Sequence, residues 1–256
     1  MEPDTLRYTR YDKGLVPVSA MAVDYPNGHN TTPHQHPTAQ LIHAVQGVML
    51  VATQDGQWIV PPTRGIWMPA NTTHWIRMIG DVRIRTVYIR EDAAPDLPNG
   101  CRVLGISALL RELILAAIDT PQGYPEDSRA GRIARLILDE LLEVPTLALH
   151  LPNPSDPRLK RITDTIAEHP DDDTTASEWA ERLHVDPKTV HRLFAKETGM
   201  TFGQWRQQAR LLTALERLAQ GEKILNVALE LGYNSPSAFT TMFKKQFGVP
   251  PSEFFE

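Results

Sequence analysis

The chain writes one stretch twice. Residues 179–200, WAERLHVDPKTVHRLFAKETGM, return as residues 227–249, VALELGYNSPSAFTTMFKKQFGV, and an internal repeat constrains a fold more tightly than any single motif. Ala180, Leu183, Val185 and Asp186 recur 48 positions later as Ala228, Leu231, Tyr233 and Asn234. Pro187, Val190, Leu193, Phe194, Lys196 and Gly199 recur 49 positions later as Pro236, Phe239, Met242, Phe243, Lys245 and Gly248. The one-residue slip falls in a turn. Each copy therefore reads as a short apolar helix, a tight turn, and a second helix opened by an Asp, Asn or Ser cap and a proline. That is a helix-turn-helix.

In each second helix, Val190, Leu193 and Phe194, then Phe239, Met242 and Phe243, are spaced i, i+3, i+4 and must face partner helices. The outer side of the first copy carries Lys188, Thr189, His191 and Arg192; the second carries Ser235, Ser237, Thr240, Thr241, Lys244 and Lys245. Short polar and cationic side chains on a projecting helix suit a DNA major groove, where Arg and Lys bond guanine and Thr meets the thymine methyl. The alternative is a pair of ordinary helical hairpins with solvated outer faces, and two copies in register argue against it. The copies are unequal. Lys188, His191 and Arg192 have the reach and donors for direct base reading, whereas Ser237, Thr240 and Thr241 reach less far. Between them, residues 202–220 read as a long linking helix stopped by Gly221, with Phe202, Trp205, Ala209, Leu212 and Leu215 inside and Arg206 and Arg210 as candidate phosphate clamps.

Residues 157–256 resemble the DNA-binding domain of the AraC/XylS family of bacterial transcription regulators. The family signature corresponds to residues 223–254, with Gly232, Phe239, Phe243, Lys244, Phe247, Gly248 and Pro251 close to pattern. The resemblance implies seven helices, with the linking helix holding the two recognition helices in successive major grooves of double-stranded operator or promoter DNA. Bulk charge does not drive such binding: 26 Lys and Arg stand against 31 Asp and Glu, a net −5, and residues 158–256 hold 13 against 14. The distribution of charge must carry it. A mixed domain of this kind predicts modest nonspecific affinity and strong salt dependence of the specific complex.

The first 90 residues alternate short apolar runs with turn signals: 16–25, 40–53, 57–60, 65–68, 75–79 and 82–90. Asp55-Gly56, Pro61-Pro62 and Gly80-Asp81 read as the closing turns of a small antiparallel barrel or jelly roll. Within it lie His34-Gln-His36, then Gln40 and Gly47, and later Pro69-Ala-Asn71-Thr-Thr-His74. In an extended segment His34 and His36 point to one side, and His74 comes from another strand, so three imidazoles can converge. The pattern resembles the cupin barrel, whose first motif is His-x-His with a glutamate four residues on and whose second is Pro-x-Gly-x-x-His. Gln40 replaces the glutamate, removing an anionic ligand, and Asn71 replaces the glycine, which Asn tolerates because it adopts positive φ.

The functional reading is a site for one transition-metal ion, Zn, Fe, Ni or Cu, on His34, His36 and His74 with the Gln40 oxygen as a weak fourth ligand. The alternative is that these histidines line a pocket for an organic effector, or bond only one another and the backbone. Trp67 and Trp75, with Trp58, are candidates for the wall of an effector pocket, or for core. His29 and His43 lack ligand spacing and read as satisfied or solvated. The lone Cys101 excludes an intrachain disulfide.

After Arg90 the composition turns to EDAAPDLPNG, followed by two helical segments from Ser107 and Ser128. Leu109, Leu113 and Ala116 lie on one face of the first, and Ile133, Leu136 and Leu141 on one face of the second, with Leu110, Ile114, Leu138 and Leu142 broadening the stripes. Regulators of the resembled layout pair through such helices, which implies a homodimer; the alternative is that both only cover the barrel. HLPNPSDP, residues 150–157, holds three prolines and marks a boundary.

The expected architecture is therefore α+β with two domains: a cupin-like sensor barrel over 1–92, connecting and dimerising helices with a linker over 93–156, and an all-α DNA-binding domain with two helix-turn-helix motifs over 157–256. The expected function is a sequence-specific DNA-binding regulator that senses a small molecule or metal; the alternative is a cupin metalloenzyme fused to a DNA-binding domain, although oxygenase chemistry on two histidines and a carboxylate lacks its carboxylate here. The barrel and its connecting helices are also similar to the branch containing the actinobacterial repressor of iron proteins. No apolar run approaches the ~20 residues of a membrane span and the first residues lack a signal-peptide core, so a cytoplasmic protein without a membrane partner is expected.

Overall fold

The computed structural model describes residues 11, 13, 15–147, 150–247 and 249–254, which leaves Gly248 of the second repeat outside. Two compact units emerge, one formed by the chain up to Thr53 and again from Val60, the other by Gln54–Ile59 with the chain from His150 on. Among the described residues the strands are β1 (Val18–Tyr25), β2 (Ala39–Ala52), β3 (Gly56–Val60), β4 (Arg64–Met68), β5 (Trp75–Ile89), β6 (Arg102–Gly105), β7 (Thr146–Leu147) and β8 (His150–Pro152). In the first unit they form an antiparallel sheet in the order β1-β5-β2-β4-β6-β7.

The Gly80-Asp81 turn expected from the sequence does not form. β5 runs through it as one 15-residue strand, pairing with β2 from Ala39↔Ile89 to Ala52↔Trp75. The register shifts between Ala44↔Ile84 and Val48↔Ile79, four residues on β2 against five on β5, so the extra residue lies on β5 around Gly80-Asp81. Opposite it Gly47 has φ 75°, and a Cβ on it would lie 2.5 Å from the Asp81 carbonyl oxygen. Gly47, without a Cβ, thus gives the Asp81 carbonyl room as β5 bulges, so a dipeptide that reads as a turn stays in a strand.

β1 covers only the second half of β5, from Val18↔Ile89 to Tyr25↔Val82. A turn at Pro26 then sends residues 28–34 along the first half: Gly28 donates to the Met78 carbonyl, Thr31 to that of Ile76, and His34 and His74 bridge. The sheet is buried on both faces, so its strands read as apolar runs with weak alternation. Ala39, Leu41, Val87 and Ile89 face a core shared with helices. Gln40, Ile42, Ile84 and Thr86 face the other way, into the domain interior with His34 and His74.

The helices covering the first face are α1 (Ala108–Ile118) and α2 (Arg129–Glu143), capped by the Ser107 and Ser128 side chains. Leu113, Ile133 and Leu141 are buried as expected, with the stripes centred towards the broadening residues Leu110 and Ile114 on α1. Leu110, Leu113, Ile114 and Ala117 are buried on α1 and Ile133, Ala134, Ile137 and Leu141 on α2, while Leu109, Leu136 and Leu142 are 51%, 45% and 55% exposed. Wide apolar stripes let the sheet select which edge to bury, and the remaining leucines stay outside.

In the second unit β3 pairs with β8, and Trp58 stacks on His150 with centroids 4.5 Å apart. Six helices follow: α3 (Pro157–Glu168), α4 (Ala176–Arg182), α5 (Pro187–Thr198), α6 (Phe202–Ala219), α7 (Ile224–Glu230) and α8 (Pro236–Phe247). Where the resemblance implies a seventh, residues 251–254 form turns that bury Phe254 against Phe243 and Phe247. Proline at the first helical position with an Asp cap opens α3 and α5. No helix among the described residues is long and apolar enough to cross a membrane.

His43 follows Ala39 and Leu41 on the helix-covered face and is 0% exposed, with Nδ1 2.9 Å from the Arg64 carbonyl oxygen. Burial lowers its pKa from 6.5 to about 4, against the pull of that hydrogen bond and aided by Arg111. The unfolded chain therefore takes up this proton first as pH falls. Stability attributable to neutral His43 is complete above about pH 6.5 and declines towards pH 4, by on the order of 3 kcal/mol. Urea unfolding of wild type and His43→Leu across that window should show a smaller acid-induced loss in the variant; equal slopes would contradict the assignment.

Candidate functional site

Three imidazoles meet where the 28–36 segment crosses the start of β5. His34 and His74 exchange backbone hydrogen bonds, 3.0 Å and 2.9 Å, and the Asn71 N–H donates to the His36 carbonyl at 2.7 Å. Asn71 adopts φ 59°, as expected where the cupin pattern has glycine. Ring centroids lie 4.4 Å apart for His34 and His74, 5.0 Å for His34 and His36, and 5.6 Å for His36 and His74. One nitrogen from each ring falls within 4.8 Å of the others. A tetrahedral ion with ~2.05 Å bonds needs nitrogens about 3.4 Å apart, so the rings would draw together by about an ångström on binding. His34 is only half-buried, whereas His36 and His74 are buried.

The tautomers are set from behind. His34 Nδ1 lies 2.7 Å from the Thr32 carbonyl oxygen and His74 Nδ1 lies 2.9 Å from that of Thr72. A carbonyl only accepts, so each Nδ1 carries the proton and each Nε2 keeps its lone pair, the arrangement that orients a metal-ligating histidine. His74 Nε2 is buried with no hydrogen-bond partner among the described residues. Burial, with the neighbouring His34 imidazole second, pushes the His74 pKa to about 3, so its lone pair is available at neutral pH.

Gln40 belongs to the same cavity. Its Nε2 donates to Thr86 Oγ1 at 3.0 Å and that hydroxyl donates to the Leu41 carbonyl at 2.8 Å, which directs the amide and leaves Oε1 buried without a hydrogen-bond partner among the described residues. The cavity shared by His34, Gln40, His74 and Met21 measures about 10 Å³, enough for one water or ion. Trp67 is buried beside a separate cleft whose lining does not include Trp75, which pairs with Ala52 at the start of β5. The backbone carbonyls behind the histidines were not anticipated from the sequence, although a threonine two residues before both His34 and His74 was there to be read.

In the helical unit both copies of the repeat close alike. Val185 N–H donates to the Ala180 carbonyl and Tyr233 N–H to that of Ala228, both at 3.0 Å, and the left-handed residues are His184 (φ 53°) and Gly232 (φ 77°). Val190, Leu193 and Phe194 are buried on α5, as are Phe239 and Phe243 on α8, with Met242 half-buried. Lys188, His191 and Arg192 stand exposed with Thr189 half-buried; Ser237, Thr241, Lys244 and Lys245 are exposed with Thr240 half-buried.

Three candidate DNA contacts have other work. Ser235 Oγ accepts from the Ala238 N–H, so Ser235 rather than Asn234 occupies the cap position matching Asp186. Arg206 donates to the Thr174 carbonyl and lies 5.0 Å over the Phe202 ring. Arg210 donates from Nε to the Pro170 carbonyl and from Nη2 to that of Asp172. These arginines tie α6 to the loop before α4.

One unit gathers three imidazoles around a small cavity, and the other, with two helix-turn-helix motifs, has the form of a DNA-binding protein. Comparison with known proteins agrees. Residues 17–144 match an AraC-like ligand binding domain and residues 179–256 a helix-turn-helix domain. The transcriptional regulator NimR of Escherichia coli is 35% identical over 221 residues, covering 86% of this chain and 81% of NimR. SoxS, a regulatory protein of the same organism, is 33% identical over 37% of this chain and 92% of its own length. The chain belongs to the AraC family of DNA-binding transcription regulators, with a ligand-binding N-terminal domain. RipA of Corynebacterium glutamicum is 34% identical over 51% of this chain but only 38% of its own length, so the actinobacterial branch expected above is not supported. These relatives are regulators, and none supports the metalloenzyme alternative.

Proposed function

We propose that the regulator's input is a single transition-metal ion, Zn, Fe, Ni or Cu, held by His34, His36 and His74 with Gln40 Oε1 as a weak fourth ligand. The observation that carries this reading is the orientation of His34 and His74: each Nδ1–H is held by a backbone carbonyl, which leaves Nε2 as the coordinating nitrogen. The cavity volume of about 10 Å³ speaks against an organic effector among the histidines. Three neutral imidazoles and an amide oxygen suit these borderline metals better than Mg or Ca, which want carboxylates.

The functional division we propose is sensing by residues 1–92, connection and dimerisation by 93–156, and DNA binding by 157–256. The exposed Leu109, Leu136 and Leu142 on α1 and α2 support a homodimer suited to two-fold operator or promoter sites. On the DNA side, Lys188, Thr189, His191 and Arg192 read bases from α5, while Ser237, Thr240, Thr241, Lys244 and Lys245 add contacts from α8. Arg206, Arg210 and Ser235 contribute by holding the helices and their ends in place, with any phosphate contact secondary. A cytoplasmic location is consistent with this work.

Purified, tag-free protein should carry about one metal ion per chain by mass spectrometry, and a His34→Ala/His36→Ala/His74→Ala variant none. Absence of metal from wild type even after reconstitution would overturn the reading. On the DNA side, Arg192→Ala should cost on the order of 1–3 kcal/mol on the preferred sequence and relax preference at one position, whereas Lys244→Ala should weaken all duplexes alike. Equal losses on specific and nonspecific duplexes for Arg192→Ala would remove its base-reading role.

A further inference from the structure

A relay of hydrogen bonds runs behind Gln40. Across β2 and β5 Gln40 pairs with Tyr88 and Ile42 with Thr86, which makes Gln40 and Thr86 diagonal neighbours on the interior face, and both are buried. Thr86 Oγ1 lies 2.8 Å from the Leu41 carbonyl oxygen and 3.0 Å from Gln40 Nε2. A carbonyl only accepts, so the hydroxyl proton is committed to Leu41 and only lone pairs are left for Gln40. The Gln40 amide therefore presents its NH2 to Thr86, and its oxygen is turned the other way.

This orientation matters in the cavity that Gln40 lines together with His34 and His74. Gln40 Oε1 and His74 Nε2 are both buried without a hydrogen-bond partner among the described residues. Both carry lone pairs, and buried acceptors without a donor are rare in native structures. A cation satisfies both at once. The opposite amide orientation would set N–H bonds against the ion and leave it three imidazole nitrogens alone. The Thr86 hydroxyl thus decides whether an oxygen joins the donor set.

We propose that Thr86 is a positioning and specificity-determining residue of this metal site: acting through Gln40, it holds the amide oxygen towards the ion and so favours Zn, Fe(II) or Ni over Cu(I). The proposal rests on the metal-binding reading of the histidines and adds to it the residue that selects among the metals. An amide oxygen is a hard donor, which suits a divalent ion and does little for soft Cu(I). Thr86→Ser keeps the relay, whereas Thr86→Val, nearly the same in shape, removes it.

Zinc titration of the full chain against a chromophoric chelator, with Co(II) absorption as a probe of the donor set, tests this. Thr86→Val and Gln40→Leu should each weaken zinc by about tenfold or more, the scale for losing a group that orients a metal ligand, and should change the Co(II) ligand-field spectrum in the same way. Thr86→Ser should keep the wild-type spectrum. In a Gln40→Leu background Thr86→Val should weaken zinc no further, because it acts only through that amide. Cu(I), competed against a copper chelator, should lose less than zinc. Wild-type zinc affinity and Co(II) spectrum in Thr86→Val, an equal loss from Thr86→Val with and without Gln40→Leu, or equal losses for zinc and Cu(I) would overturn the proposal. Should Thr86→Val misfold, Gln40→Leu decides alone: an unchanged Co(II) spectrum there removes the oxygen that Thr86 is held to place. Wild type that binds neither zinc nor Co(II) contradicts the metal reading itself, whereas wild type that binds both while Thr86→Val matches it contradicts only the role of Thr86.

Discussion

The two hydrogen bonds exchanged between His34 and His74 are the contact on which the sensing domain depends. They pin the segment after β1 onto the start of β5, beyond the end of β1. That placement puts His34 and His74 side by side on strands far apart in sequence, while Asn71, in a left-handed conformation, brings the His36 backbone in behind them. The same local geometry lets the carbonyls of Thr32 and Thr72 accept from each Nδ1. Backbone bonds thus fix both the position and the tautomer of the side chains, so little ordering remains to be done when a ligand arrives.

Electrostatics then narrow what the ligand can be. The histidine site contains no carboxylate, and His74 stays neutral through the physiological range because protonation would place a charge in a buried site beside a second imidazole. The proposed ion fits this donor set of imidazole nitrogens in a cavity of about 10 Å³.

Much of the helical unit was legible because repetition and helical spacing are local signals. Leu193 and Phe194 announced a buried face and Asp186-Pro187 a helix start, and both hold. The sequence was less informative where the outcome depends on a distant strand. Gly80-Asp81 looks like a turn until Gly47 gives it room to bulge within β5, and Leu109 looks buried until the sheet selects the adjacent stripe of α1. Arg206 and Arg210 looked available for phosphate because nothing near them in sequence shows that the carbonyls of Thr174, Pro170 and Asp172 come within reach. At the histidines, His-x-His and the distant His74 pointed to convergence, but the state of each ring nitrogen follows from carbonyl positions that only the fold supplies.

The central claim is that an ion at the histidines controls DNA binding by this regulator. It is tested most directly by selecting a preferred duplex from a random pool with the purified protein, then measuring its Kd by fluorescence anisotropy for chelator-stripped and Zn-reconstituted protein at fixed salt. The account predicts a change of at least about fivefold, the lower end of ordinary coupling between sites, and no such change in the His34→Ala/His36→Ala/His74→Ala variant. Equal affinities for stripped and reconstituted wild-type protein, with zinc verified in the latter, would contradict it.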